Sequence, residues 1–138
     1  MNYWLVKSEP AAYSWADFTR DGGTDWTGVR NFQARNCLLQ MQPNDLVLYY
    51  HSVTDKQVVG VATVAASAAP DATAPTDTNW VAVHLTPHQA LARPVSLAAI
   101  KQDQRLGQIA LLRQSRLSVM PLKAEEFDAI LELSETEK

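Results

Sequence analysis

Trp26-Thr27-Gly28-Val29-Arg30-Asn31 sets an indole, a permissive glycine, a guanidinium and an amide side by side, immediately ahead of a segment with helical spacing. A helix start offers unpaired backbone N–H groups and the positive end of the helix dipole. An aromatic ring, a cation and an amide next to such donors suit a planar, hydrogen-bonding ligand that carries negative charge. Arg35 follows Asn31 by one helical turn, opposite the apolar stripe of the same segment. Each residue also has a purely structural reading, in which Trp26 fills a gap, Asn31 caps the helix and Arg35 forms a surface ion pair. Together, so many polar and aromatic groups in one short stretch of a small chain point to a ligand.

Catalytic patterns are sparse by comparison. His51-Ser52 invites a hydrolase reading, yet adjacent residues on an extended segment point to opposite sides and do not form a nucleophile–base pair unaided. The sequence holds no glycine-rich phosphate loop, dinucleotide fingerprint, nucleophile elbow or zinc-protease helix. Cys37 lies on an apolar stripe, the setting of a packed thiol rather than a reactive thiolate. One cysteine and three histidines, His51, His84 and His88, do not supply the usual four-ligand structural zinc site or an internal disulfide. No metal and no cofactor is expected, and binding is favoured over catalysis.

The elements that must position these residues can be read in order. Asn2–Lys7 carries Tyr-Trp-Leu-Val without polar alternation and predicts a central strand covered on both faces. Ser14 and Asp17 form a capping pair for a helix that Asp21-Gly22-Gly23 ends, with Tyr13 stapled onto Phe18. From Asn31, Ala34, Cys37, Leu38 and Met41 recur at helical spacing and predict an amphipathic helix over 31–41. Leu46–Tyr50, Val58–Val64, Trp80–Leu85 and Leu117–Val119 read as further strands, about five in all, the number a small closed or nearly closed barrel needs. Ala65–Thr78 has neither period and reads as a surface loop. A short helix starts at Ser96, and a last one spans Lys123–Leu133 with Phe127, Ile130 and Leu131 inward.

At 138 residues, with 46% hydrophobic and 20% charged positions, the chain fits one globular domain with its own core. MNYWLVKSEP lacks a basic segment followed by an apolar run, and no run of apolar residues is long enough to span a bilayer. A cytoplasmic protein without a membrane partner is therefore expected. Net charge is −3, but the acids concentrate from Ala124 onward, where Glu125, Glu126, Asp128, Glu132, Glu135 and Glu137 face Lys138. Between Lys101 and Lys123, Lys101, Arg105, Arg113, Arg116 and Lys123 face only Asp103. A mildly basic body beside an acidic end permits a polyanion partner; it also fits an ordinary solvated surface, or a protein-interaction module that docks through the acidic helix.

Lys7-Ser8-Glu9-Pro10, Trp26 through Asn36, Tyr50-His51-Ser52, Val59-Gly60-Val61-Ala62, Arg93-Pro94-Val95-Ser96-Leu97 and Ser115-Arg116-Leu117-Ser118-Val119 stand in an order and at distances that resemble an EVE domain along the whole chain. The resemblance implies an α+β, PUA-like fold, a small twisted β-barrel of about five strands with surrounding helices, related to YTH, ASCH and PUA domains. It implies a single domain over residues 1–138 that binds DNA or RNA carrying a modified base without enzymatic turnover; a monomer is expected, and the rival reading is an enzyme acting on a nucleotide-like substrate with His51 as general base. Carried over residue by residue, the pocket would draw on Lys7 and Ser8, on Trp26, Val29, Arg30 and Asn31, and on Arg35. Tyr50, His51 and Ser52 would form one rim, and Arg116, Ser118 and Val119 another. Stacking on an aromatic ring, reading of a base edge by amides and hydroxyls, and arginines on phosphates would be the physics of such a site. Two departures stand out. Asn44-Asp45 replaces the family's usual glycine-aspartate, with asparagine expected to hold the left-handed turn, and the Ala68–Asn79 loop is shorter than family members often carry.

Overall fold

A computed structural model describes residues 1–136; Glu137 and Lys138, counted above in the acidic end, lie outside them. The strands are Tyr3–Ser8 (β1), Thr24–Asp25 (β2), Leu46–His51 (β3), Gln57–Pro70 (β4), Val81–Ser96 (β5) and Val119–Leu122 (β6). Helices occupy Trp15–Asp21 (α1), Phe32–Gln40 (α2), Leu97–Gln102 (α3), Ala110–Arg113 (α4) and Ala124–Leu133 (α5). The strands form one mixed sheet in the order β2-β5-β4-β3-β1-β6, so the architecture is α+β.

The expected barrel is not formed: β2 and β6 stand at opposite ends of the sheet, which stays open. The ends are poorly suited to closure. β2 contributes two residues, paired to His84 and Leu85 of β5, and β6 carries Pro121, which cannot donate to a ladder and is at home on an edge. β1 is an inner strand, parallel to β3 and antiparallel to β6. Its Trp4, Leu5 and Val6 are all buried, as expected of a strand covered on both faces.

Helix boundaries follow their caps. The Ser14 hydroxyl accepts from the Asp17 N–H and the Asp17 carboxylate from the Ser14 N–H, both at 3.0 Å; Gly22 closes α1 in the left-handed conformation at φ 74°. Tyr13 meets Phe18 with ring centroids 6.4 Å apart. Asn31 caps α2 by accepting from the Ala34 N–H at 2.9 Å, and Ala34, Cys37, Leu38 and Met41 are buried. Burial pushes the Cys37 thiol pKa up, as befits a packed group. Ser96 caps α3. In α5, Phe127, Ile130 and Leu131 belong to the core. Asn44 takes φ 77°, the left-handed turn expected of it.

Several strand boundaries differ from the sequence reading: Thr24–Asp25 adds a short strand, and β5 runs from Val81 on to Ser96 rather than ending at Leu85. Ala65–Pro70 is not loop but the distal half of β4, paired through Ala66↔His84, Ala69↔Ala82 and Pro70↔Val81 with register shifts between. These small residues are mostly exposed, so backbone pairing rather than side-chain burial holds them, and alternation gives no sign of it. The last strand starts at Val119 rather than Leu117 and runs on through Pro121.

Tyr49 of β3 lies fully buried at the centre of an aromatic cluster. Phe18 stacks on it at 5.2 Å, while Trp15, Trp26 and His51 meet it edge-on at 5.4, 5.5 and 5.9 Å. Burial pushes its phenol up to about 12. Its hydroxyl donates to the Tyr13 carbonyl at 2.9 Å, which ties the cluster to the chain entering α1.

Candidate functional site

A cleft of about 420 Å³ opens where the end of β1 meets the Thr24–Arg30 segment, within the range of small-ligand sites. One wall comes from Lys7, Ser8 and Glu9 with Ala12 and Tyr13, the other from Thr24 through Arg30, and Ser118 closes an end. The β1 wall is fixed from inside. The Lys7 N–H donates to the Ser118 carbonyl at 3.0 Å, the Lys7 ammonium donates to the Ser115 carbonyl at 2.7 Å, and the Ser8 hydroxyl donates to the Tyr13 carbonyl at 2.6 Å. Partial burial lowers the Lys7 pKa.

The opposite wall is held by one carboxylate. Asp71, its side chain 0% exposed, accepts from the Gly28 N–H at 2.9 Å, from Arg30 Nη1 at 3.0 Å, and from the Thr73 N–H and hydroxyl at 2.7 and 2.6 Å. Burial by itself would raise its pKa; the bonds from Thr73, Gly28 and Arg30 outweigh that and hold it well below the usual carboxylate range. Gly28 sits at φ 82°, a conformation that glycine adopts without strain, and this turn presents its N–H to Asp71. The Trp26 N–H continues the β2 pairing by donating to the Val83 carbonyl at 2.7 Å. Trp26 and Val29 are thereby pressed into the core at 9% and 6% exposure, and Trp26 forms a fixed wall with a narrow accessible face.

The cleft joins aromatic surface to donors and acceptors of several kinds. Lys7 donates; Glu9 and Asp25 carboxylates accept; the Thr27 and Ser118 hydroxyls do either. A carboxylate can take a proton-bearing exocyclic amine, and hydroxyls read either edge of a base.

Six of the sequence-derived residues, Lys7, Ser8, Trp26, Val29, Arg30 and Ser118, line this cleft. Tyr50, Ser52 and Arg116 line a second cavity of about 670 Å³ that shares Lys7, Glu9 and Ser118 with the first. Asn31 is engaged as the α2 cap, and with Arg116 it borders a third, shallower depression. Arg35 lies over the rings of Phe32 and Trp80. Val119 is fully buried in β6, opposite Val6. His51 is buried at 8% exposure; its Nε2 accepts from the Trp15 N–H and its Nδ1 bonds Asp55, each at 3.0 Å. Accepting at Nε2 puts the proton on Nδ1, so both ring nitrogens are committed within the fold.

Glu9, Tyr13, Thr24 and Asp25 line the cleft without having been singled out as site residues from sequence, and Asp71 governs it from outside. Glu9 had a visible signal, its place in the Lys7–Pro10 run. Tyr13 was read only as a helix staple, a role it also fills. Among the described residues no group of three or more His, Cys, Asp or Glu side chains is placed to hold a metal ion, and no helix is long and apolar enough to cross a membrane.

Comparison with known proteins gives a consistent picture. The EVE domain family model matches residues 2–133. Thymocyte nuclear protein 1 of Mus musculus is 32% identical over 169 residues, covering 99% of this chain and 75% of that protein. The crystal structure of protein Atu2648 from Agrobacterium tumefaciens superposes with a TM-score of 0.97 at 38% identity, covering 99% of this chain and 94% of the other. The structure of human THYN1 protein in complex with 5-methylcytosine-containing DNA superposes with a TM-score of 0.92 at 29% identity, with all of both chains covered.

Proposed function

The chain belongs to the EVE domain family, and from that premise we propose that it is a non-enzymatic nucleic-acid-binding domain that takes a modified base of DNA into the cleft between β1 and the Thr24–Arg30 wall. The observation that carries the reading is the likeness, over the whole chain, to a human protein whose structure holds 5-methylcytosine-containing DNA. The cleft supports it in size and in its mixture of ring surface, carboxylates and hydroxyls. The commitment of both His51 nitrogens favours binding over general-base chemistry. In this reading Lys7, Ser8, Trp26, Val29, Arg30 and Ser118 surround the base. Arg116, Tyr50 and Ser52 border the path of the strand beyond it, and Asn31, Arg35, His51 and Val119 shape and support the walls. The domain acts as a monomer, without metal or cofactor, in the cytoplasm, and its open sheet is a variant of the PUA-like plan.

The test is binding of the pure chain to matched oligonucleotides, DNA and RNA, with and without 5-methylcytosine or other modified bases, at fixed salt. Tighter binding of one modified strand, lost when the same strand is unmodified, is expected. Equal affinity for all strands would end the reading.

A further inference from the structure

Phe32 opens α2 and is 65% exposed. Its ring stacks on that of Trp80, with centroids 5.0 Å apart and planes at 22°. Two guanidinium groups flank the pair: Arg35 lies 5.0 Å from the Phe32 centroid and 6.0 Å from that of Trp80, and Arg30 lies 5.7 Å from Trp80. Arg35 keeps its Nε buried without a hydrogen-bond partner. Its Nη2 donates to the Asn36 side-chain carbonyl at 3.1 Å, so a neutral amide and the rings, not an acid, hold it in place. Asp71, the acid paired with Arg30, has a side chain 0% exposed, so the accessible charge of the patch is positive. A clasp serving only to hold the loop before β5 against α2 would bury Phe32; here the ring stays largely exposed beside two cations. Arg30 also lines the cleft, which makes the patch continuous with it.

We infer that Phe32 and Trp80, with Arg30 and Arg35, form a second stacking platform that takes the nucleotide next to the modified base in the same strand. The inference rests on the proposed function for its ligand class. Rings offer a face to any base, and guanidinium groups suit the phosphate that links two nucleotides. Arg30 stands where that linkage passes from cleft to platform.

The test compares two probes on the full chain: 5-methyl-2′-deoxycytidine 5′-monophosphate, and a single-stranded oligonucleotide with 5-methylcytosine between thymidines. Wild-type chain should bind the oligonucleotide more tightly. Phe32→Ala should weaken oligonucleotide binding about tenfold and leave the mononucleotide unchanged, while Phe32→Trp restores the loss. Matching thermal transitions of the variants would exclude unfolding as the cause. Unchanged oligonucleotide affinity in Phe32→Ala, with the modified-base preference intact, overturns the platform and spares the cleft. If the wild type shows no modified-base preference, the cleft reading fails, and a tenfold loss in Phe32→Ala on an unmodified oligonucleotide still supports the platform. Self-association that Phe32→Ala abolishes, without any effect on nucleic acid, would make the patch a protein contact and overturn the inference.

Discussion

Asp71 touches the site only through other residues, yet four hydrogen bonds converge on it. Replacing it with asparagine turns one acceptor oxygen into a donor facing donors, and Asp71→Asn is expected to cost about 2–3 kcal/mol of stability at neutral pH. The folded carboxyl titrates below its unfolded value of about 4. Its contribution is therefore fully present above pH ~4 and is lost as pH falls through the folded value. Chemical denaturation at several pH values should show this part of the acid sensitivity in wild type and not in Asp71→Asn. Trp26 needs a gentler probe. At 9% exposure and packed edge-on to Tyr49, its truncation to alanine would cost about 3–5 kcal/mol of stability and confound any binding result. Trp26→Phe keeps much of the packing while shrinking the stacking surface. It should weaken binding of the preferred modified strand by about 1 kcal/mol and leave other strands nearly unaffected, as measured by titration with a melting control.

Strain and close approach mark the elements around β3 and β4. Val53, in the turn joining them, has φ 71°, a region that a β-branched residue enters only at a cost. It is also 61% exposed, so little packing is lost when it is replaced. Val53→Asn should raise stability by about 1 kcal/mol, read as a higher denaturation midpoint at unchanged slope. Gly60 of β4 is the opposite case. A Cβ there would stand 2.5 Å from the Trp15 ring, which itself packs on Phe18 and Tyr49. Gly60→Ala must shift that cluster, and a loss of about 1–3 kcal/mol is expected. Three helices were legible because their caps are local: Ser14, Asn31 and Ser96 each act on an N–H three residues on, whereas α4, whose cap residue Ile109 makes no side-chain bond, was not. The long β4–β5 pairing was not, because its distal half is held by hydrogen bonds between backbones distant in sequence.

Charge acts on the whole molecule. The net charge is −3, and Arg105 is already tied to Asp103 and Glu132 at 2.8 Å each. Few phosphates can be neutralised at once, so the logarithm of affinity should fall with the logarithm of salt with a slope on the order of −1 to −3. Arg116→Ala should weaken all strands alike and flatten that slope by about one unit, while leaving base preference in place. A slope near about −6 with no base preference would instead mean a polyanion-coating surface. The sequence by itself determined α1, α2, α3 and α5, the inner strand β1, the packed thiol of Cys37 and the resemblance to EVE domains, since periodicity, caps and motifs are written in neighbouring residues. It also singled out the Trp26–Arg30 run, which lines one wall of the cleft. Only the tertiary structure decided that His51 is spent on Trp15 and Asp55, that Val119 faces the core, that Asp71 governs the cleft and that Phe32 remains open beside Arg35. Those outcomes depend on which distant donor is brought against which acceptor, and on where the open sheet ends. Both are settled by three-dimensional packing, to which no short stretch of chain has access.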